Sequence, residues 1–153
     1  MRAVVIGIGS KDRHDAGVGP EVIDRLADLR LRNVSLAVVD GEPTPVVDLW
    51  SDVEVGVLID AVHSQPSHPG KIHELIVDTP LTDQCRSAAS PGLELTEVIE
   101  FALALGRMPR RLVILAVEGS DFTPGRGLTP AVEMAVDRVV RLASKEVAIA
   151  LSR

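Results

Sequence analysis

The chain has 153 residues and a mass of 16.3 kDa. That is the size of one ordinary domain, and its 46% apolar content supports a buried core rather than disorder. A net charge of -6, with no Tyr, two Phe and one Trp, excludes both a basic polyanion-binding face and an aromatic platform for stacking bases, so no nucleic-acid partner is expected. The tight cationic groups, Arg30 to Arg32 and Arg107 to Arg111, fall where helices end and read as helix-end and loop charges.

One cysteine, Cys85, cannot form an intrachain disulfide and fits a reducing compartment. No apolar run approaches the length of a membrane span or of a signal-peptide core followed by a cleavage site. The expectation is a cytoplasmic protein with no membrane partner, working as a monomer.

Short β-branched runs alternate with segments of helical period, the pattern of a parallel sheet covered on both faces. AVVIGI (3–8) is the first strand. The stretch GIGSKDRHDAGVGPEV (7–22) then opens like a phosphate loop but is dense in charge, and Val18, Val22, Leu26 and Leu29 mark a helix running to about Arg30. VSLAVVD (34–40) is the second strand, Pro45 to Trp50 a short helix, and VGVLIDAV (55–62) a third strand buried on both faces.

KIHELIV alternates polar and apolar residues, as an antiparallel edge strand with one wet face would, and His73 on it reads as solvated. Residues 78 to 91 carry turn formers without a period and form a long loop. Leu95 to Leu105 is helical and stops at Gly106, RLVILAVE (111–118) is a further buried strand, and Thr129-Pro130 caps and opens a last helix. The expected fold is a three-layer α/β/α sandwich around a mostly parallel sheet with one antiparallel edge strand, forming a single domain.

Ligands of such sheets sit at the carboxyl ends of the strands. That edge collects Gly9 to Gly17, Asp40, Asp60 to His63 and Glu118. A dinucleotide site needs a third glycine where Asp12 stands, and Asp12 and Asp15 repel a pyrophosphate, although Asp40 mimics a ribose-binding acid. His14, Asp15, Asp60 and His63 form a mixed oxygen and nitrogen set suited to divalent transition metals. The bland alternatives stay open: Asp15 as a helix cap, Asp60 as an acceptor for loop amides, the histidines as solvated residues.

The ordered set of GIGS, D-x-G-V-G (15–19), VVDGEPT (38–44), LIDAV (58–62), LALGRMP (103–109) and G-x-G-L-T-P-x-V (125–132) resembles the hydrogenase maturation endopeptidases over nearly the whole chain. The resemblance implies an α/β/α endopeptidase that removes a C-terminal peptide from the large-subunit precursor of a nickel-iron hydrogenase after nickel insertion. The metal is then carried by the substrate, with no cofactor of the protein's own. It also implies three metal contacts: an acid before G-V-G, the Asp of I-D-A, and a His before the third long helix.

Asp60 matches the second contact, and Asp15 supplies an acid one position before Ala16, which occupies the first. Pro91, beside Ser90, stands at the third, and no histidine occurs from 74 to 153. Ser10 replaces the family's Asn, and Asp40-Gly41-Glu42-Pro43-Thr44 replaces its D-G-G-T turn. On this reading Asp15 and Asp60 are catalytic and hold the ion, His14 or His63 supplies the imidazole, Asp12 is a further substitute acid, and Asp40 contacts substrate. The rival reading, drawn from Ala16 and Pro91, is a precursor-binding, chaperone-like module without proteolysis.

Overall fold

The computed structural model describes residues 3–40, 42–51, 53–63, 66–78 and 95–151. Its strands are β1 (Ala3–Ile8), β2 (Val34–Val39), β3 (Val55–Val62), β4 (Ile72–Asp78) and β5 (Arg111–Glu118). Its helices are α1 (Val18–Asp28), α2 (Pro43–Trp50), α3 (Leu95–Leu105) and α4 (Pro130–Leu151), with a 3-10 turn at His14–Gly17. Cys85, Ser90, Pro91 and the loop expected over 78 to 91 lie outside the described residues, except that Asp78 ends β4.

The sheet order is β2-β1-β3-β5-β4 among the described residues. All neighbours are parallel except β4, which runs antiparallel to β5 at the edge, as its alternating pattern predicts. Because side chains alternate across a strand, β1 splits its residues between two cores. Ala3 and Val5 join Val57, Val113 and Val117 under α1 and α4, whose stripe is Val22, Leu26, Val136, Val139 and Val147. Val4, Ile6 and Ile8 join Leu58 and Ile114 under α2 and α3, against Trp50 and Ile99. These two apolar layers are the α/β/α sandwich.

α1 starts at Val18, two residues before Pro20, which is tolerated because first-turn amides have no intrahelical acceptor. The helix sits unusually close to the sheet: a Cβ on Gly19 would lie 2.8 Å from backbone atoms of Ile8 and Ile59. α2 begins at Pro43 rather than Pro45, with Pro at the first helical position. The arginine cluster at 107 to 111 is neutralised within the fold, Arg107 by Asp48, Arg110 by Glu54 and Arg111 by the buried Glu146. Among the described residues no helix is long and apolar enough to cross a membrane.

Candidate functional site

β1 sends its chain outward to β2, whereas β3 feeds the other half of the sheet, so their carboxyl ends part at a topological switch point where a crevice must open. A cleft of about 510 Å³ lies there, within the ordinary range for a ligand site. The end of β1 contributes Gly9 and Ser10, and the end of β3 contributes Asp60 and His63. Asp40, just beyond β2, lines the opposite wall, and its Oδ1 accepts from the Glu42 amide at 3.2 Å.

Asp60 is half-buried, with Oδ1 accepting from the Ala61 amide at 2.8 Å. His63 meets Phe122 edge to face, ring centroids 5.9 Å apart, a geometry that fixes the imidazole plane at the mouth of the cleft. Phe122 and Arg13 also line the cleft, and neither stood out in the sequence, since a lone aromatic and a lone loop cation carry no periodic signal. Among the described residues the Arg13 side chain makes no ion pair, whereas Lys11 pairs with Asp24 and Arg126 with Asp12.

Asp15 does not line this cleft; Ala16 does. The Asp15 side chain is fully buried and turns away, toward the segment that follows β5. Its Oδ2 accepts from the amides of Ser120 (2.8 Å) and Asp121 (3.1 Å), and its Oδ1 from the amide (2.8 Å) and hydroxyl (2.9 Å) of Thr129. Burial pushes its carboxyl pKa up, but the donors from Ser120, Thr129 and Asp121 outweigh it and hold the group below the ordinary carboxylate range. A carboxylate so fully donated to holds two loops together.

His14 is likewise a tie. Its Nδ1–H donates to the Gly127 carbonyl at 3.0 Å, its amide to the Gly125 carbonyl at 2.9 Å, and its φ of 45° is the left-handed conformation. A Cβ on Gly125 would fall 2.2 Å from the ring, so glycine there is what admits the imidazole. The structure therefore brings Asp60, His63 and Asp40 to one cleft and leaves Asp15 and His14 behind its wall. Among the described residues no group of three or more His, Cys, Asp or Glu converges at metal-binding spacing.

The first loop is also closed to phosphate. The amides of Gly9, Ser10, Asp12, Arg13, His14, Asp15 and Ala16 are already donated, to Val39, Ala16, the Ser10 hydroxyl, Ser10, Gly125, Asp121 and Arg13 respectively. A phosphate cradle needs those donors free. The glycines serve packing instead, with Gly7 and Gly19 meeting where strand and helix touch.

His73 is exposed, as expected of a wet edge, and it also has a partner. Its Nε2 lies 2.7 Å from Oε2 of Glu118, which is buried.

No family model matches the sequence, and no curated protein matches it. Solved structures do match. HybD from E. coli, a hydrogenase maturating endopeptidase, superposes with a TM-score of 0.73 at 19% identity over 94% of this chain and 90% of its own. The hydrogenase 2 maturation peptidase of a Thaumarchaeota archaeon gives 0.74 at 24% identity, covering 96% and 98%. HybD of Thermococcus kodakarensis, a NiFe hydrogenase maturation protease, gives 0.76 at 18% over 95% and 98%.

The fold is that of the hydrogenase maturation endopeptidases. The match covers nearly the whole of this chain and of theirs. The switch-point cleft with Asp60 lies between β1 and β3, at the centre of this fold.

Proposed function

We propose that the protein is a hydrogenase maturation endopeptidase, removing the C-terminal extension of a nickel-iron hydrogenase large-subunit precursor after the metal has been inserted. The observation that carries this reading is Asp60, held half-buried at the switch point of this fold in a cleft that also contains His63 and Asp40. The resemblance assigns the corresponding aspartate to the substrate's metal, and the cleft's position supports it.

Asp60 and His63 offer a carboxylate oxygen and an imidazole nitrogen, the donor types that suit a first-row divalent ion. Nickel arrives with the substrate and supplies Lewis-acid polarisation there. Asp60 orients the precursor so that water adds to the scissile carbonyl carbon, the C–N bond breaks and the leaving amine takes a proton. Asp40 and Arg13 flank the bound segment. Asp15 is reassigned from metal contact to positioning residue: it fixes the 3-10 turn that carries Arg13 and Ala16 against the cleft.

A specific observation favours a second reading, in which the protein binds the precursor without cutting it. Ala16 is the residue that faces the cleft where an acid is implied, and the nearby acid, Asp15, is saturated and turned away. Incubation with a nickel-loaded precursor, followed by mass measurement, separates the two. Loss of a C-terminal peptide that disappears in Asp60→Ala supports the endopeptidase. An intact precursor that co-purifies with the protein supports the binding module, and neither cleavage nor complex sinks both.

A further inference from the structure

β2 forms one edge of the sheet, paired among the described residues with β1 alone. The Ala3 amide donates to the Asn33 carbonyl and the Gly9 amide to the Val39 carbonyl, which fixes the backbone groups that face β1. The N–H and C=O of one strand residue point to the same side, and successive residues alternate, so 33, 35, 37 and 39 face inward. The N–H and C=O of Val34, Leu36 and Val38 therefore point out from the sheet.

An open edge is a template for another strand, and folded proteins ordinarily guard it with charge, proline or a bulge. The opposite edge follows that rule, since β4 carries His73, Glu74 and Asp78. β2 reads VSLAVV, with no charge, proline or glycine, and Val38 is 49% exposed.

The ends of the edge select the strand that fits it. Arg30 and Arg32 stand exposed just before β2, and Asp40 and Glu42 stand exposed just after it. Among the described residues none of these four side chains makes an ion pair. An antiparallel two-fold centred on Leu36 sets Leu36 against itself and Val34 against Val38, so all three outward residues pair, with about six hydrogen bonds in all. The same register brings Arg32 level with Asp40 and Arg30 level with Glu42, cation against anion at both ends. A slip of two residues either way loses part of the pairing and the charge match with it.

We propose that a second copy of this chain docks on β2, antiparallel and in this register, joining two five-stranded sheets across a two-fold axis. The self-complementary ends favour this occupant over a peptide, which has no reason to carry both charges at this spacing. The contact reaches the cleft as well. A shallow groove lined by Val38 and Pro20 shares Gly9, Ser10 and Asp40 with it, so Arg32 of the second copy comes to the Asp40 wall. The proposal is independent of the function proposed above, and it differs from the monomer expected from the sequence.

Sedimentation equilibrium of the full chain over a range of concentrations tests it, the wild type being expected to show a reversible monomer–dimer equilibrium. Val38→Pro removes an outward N–H without breaking a bond to β1 and should raise the dimer dissociation constant at least about ten-fold. Arg32→Asp should raise it about three-fold or more, and adding Asp40→Arg should restore it. Arg32 lies on an exposed turn, so its variants keep the test valid if the proline variant fails to fold. Register is read separately: Ser35 and Ala37 of the two copies oppose each other at a non-hydrogen-bonded position, where Cα atoms come to about 4.5 Å, within disulfide reach. Mixing Ser35→Cys and Ala37→Cys chains, both carrying Cys85→Ser, should therefore give a crosslinked heterodimer on oxidation. A wild type that stays monomeric throughout overturns the proposal, and if Val38→Pro then weakens precursor binding, the edge serves an extended peptide instead. A dimer whose dissociation constant neither Val38→Pro nor Arg32→Asp moves, or one without the heterodimer crosslink, overturns it too.

Discussion

The Thr129 amide donates to Asp15 Oδ1 at 2.8 Å across 114 positions of sequence, and the Thr129 hydroxyl reaches the same carboxylate. This contact joins the loop after β1 to the first turn of α4, and it holds the wall of the candidate cleft in place. Its consequences for stability and pH are distinct from those of Asp60.

Replacing Asp15 with Ala removes the buried acceptor of the Ser120, Asp121 and Thr129 amides. The expected cost is about 3–5 kcal/mol, a fall in melting temperature on the order of 10 °C for a chain of this size. Thermal unfolding followed by circular dichroism checks it. A variant that melts with the wild type would show that this network contributes nothing.

The same group makes stability acid-sensitive. Burial raises the Asp15 pKa, the donors from Ser120, Thr129 and Asp121 lower it by more, and the folded value lies below the unfolded one. Its contribution is therefore present above the unfolded carboxyl pKa of about 4 and lost as pH falls through the lower folded value. Wild-type melting temperature should drop steeply below about pH 4, and the slope in that window should be shallower in Asp15→Ala. Parallel slopes would contradict the assignment.

Asp60 behaves in the opposite way. It is half-buried at a cleft, and Asn keeps its shape and an acceptor oxygen, so Asp60→Asn should change stability by less than about 1 kcal/mol. Cleavage of the nickel-loaded precursor should nevertheless fall by at least about a hundred-fold, by analogy with loss of a group that binds only in the reacting complex. Retained cleavage, read by mass spectrometry, would remove Asp60 from the mechanism.

Gly19 tests the packing of α1. A methyl there meets backbone atoms of Ile8 and Ile59 at 2.8 Å, none of which can swing aside. Gly19→Ala should cost roughly 1–3 kcal/mol or more from overpacking. Because Ile8 and Asp60 border the cleft, precursor binding should weaken as well. Denaturant unfolding together with a pull-down of the precursor measures both.

Local pattern decided most of the fold. Near-continuous apolar runs in 3–8, 55–62 and 111–118 can be satisfied only by strands covered on both faces, and the alternation in KIHELIV could belong only to an edge. Pro and Gly set the helix limits to within two residues at α1 and α2, because their backbone restrictions are local. Asp60 was legible for the same reason: it ends a buried strand at the edge where ligands bind.

What the sequence could not decide is which way a loop side chain turns. Asp15 and Ala16 are adjacent, and a half-turn of the 3-10 segment determines which faces the cleft; Ser120, Asp121 and Thr129, distant in sequence, draw the carboxylate away. His14 is taken up in the same manner by Gly125 and Gly127. His73 is exposed as expected, but its contact with Glu118 was not legible, because Glu118 lies on another strand and only the antiparallel register brings the two together. Strand, helix and sheet-edge identity follow from neighbours along the chain, whereas side-chain direction in loops and cross-strand pairing depend on groups that only the folded structure places side by side.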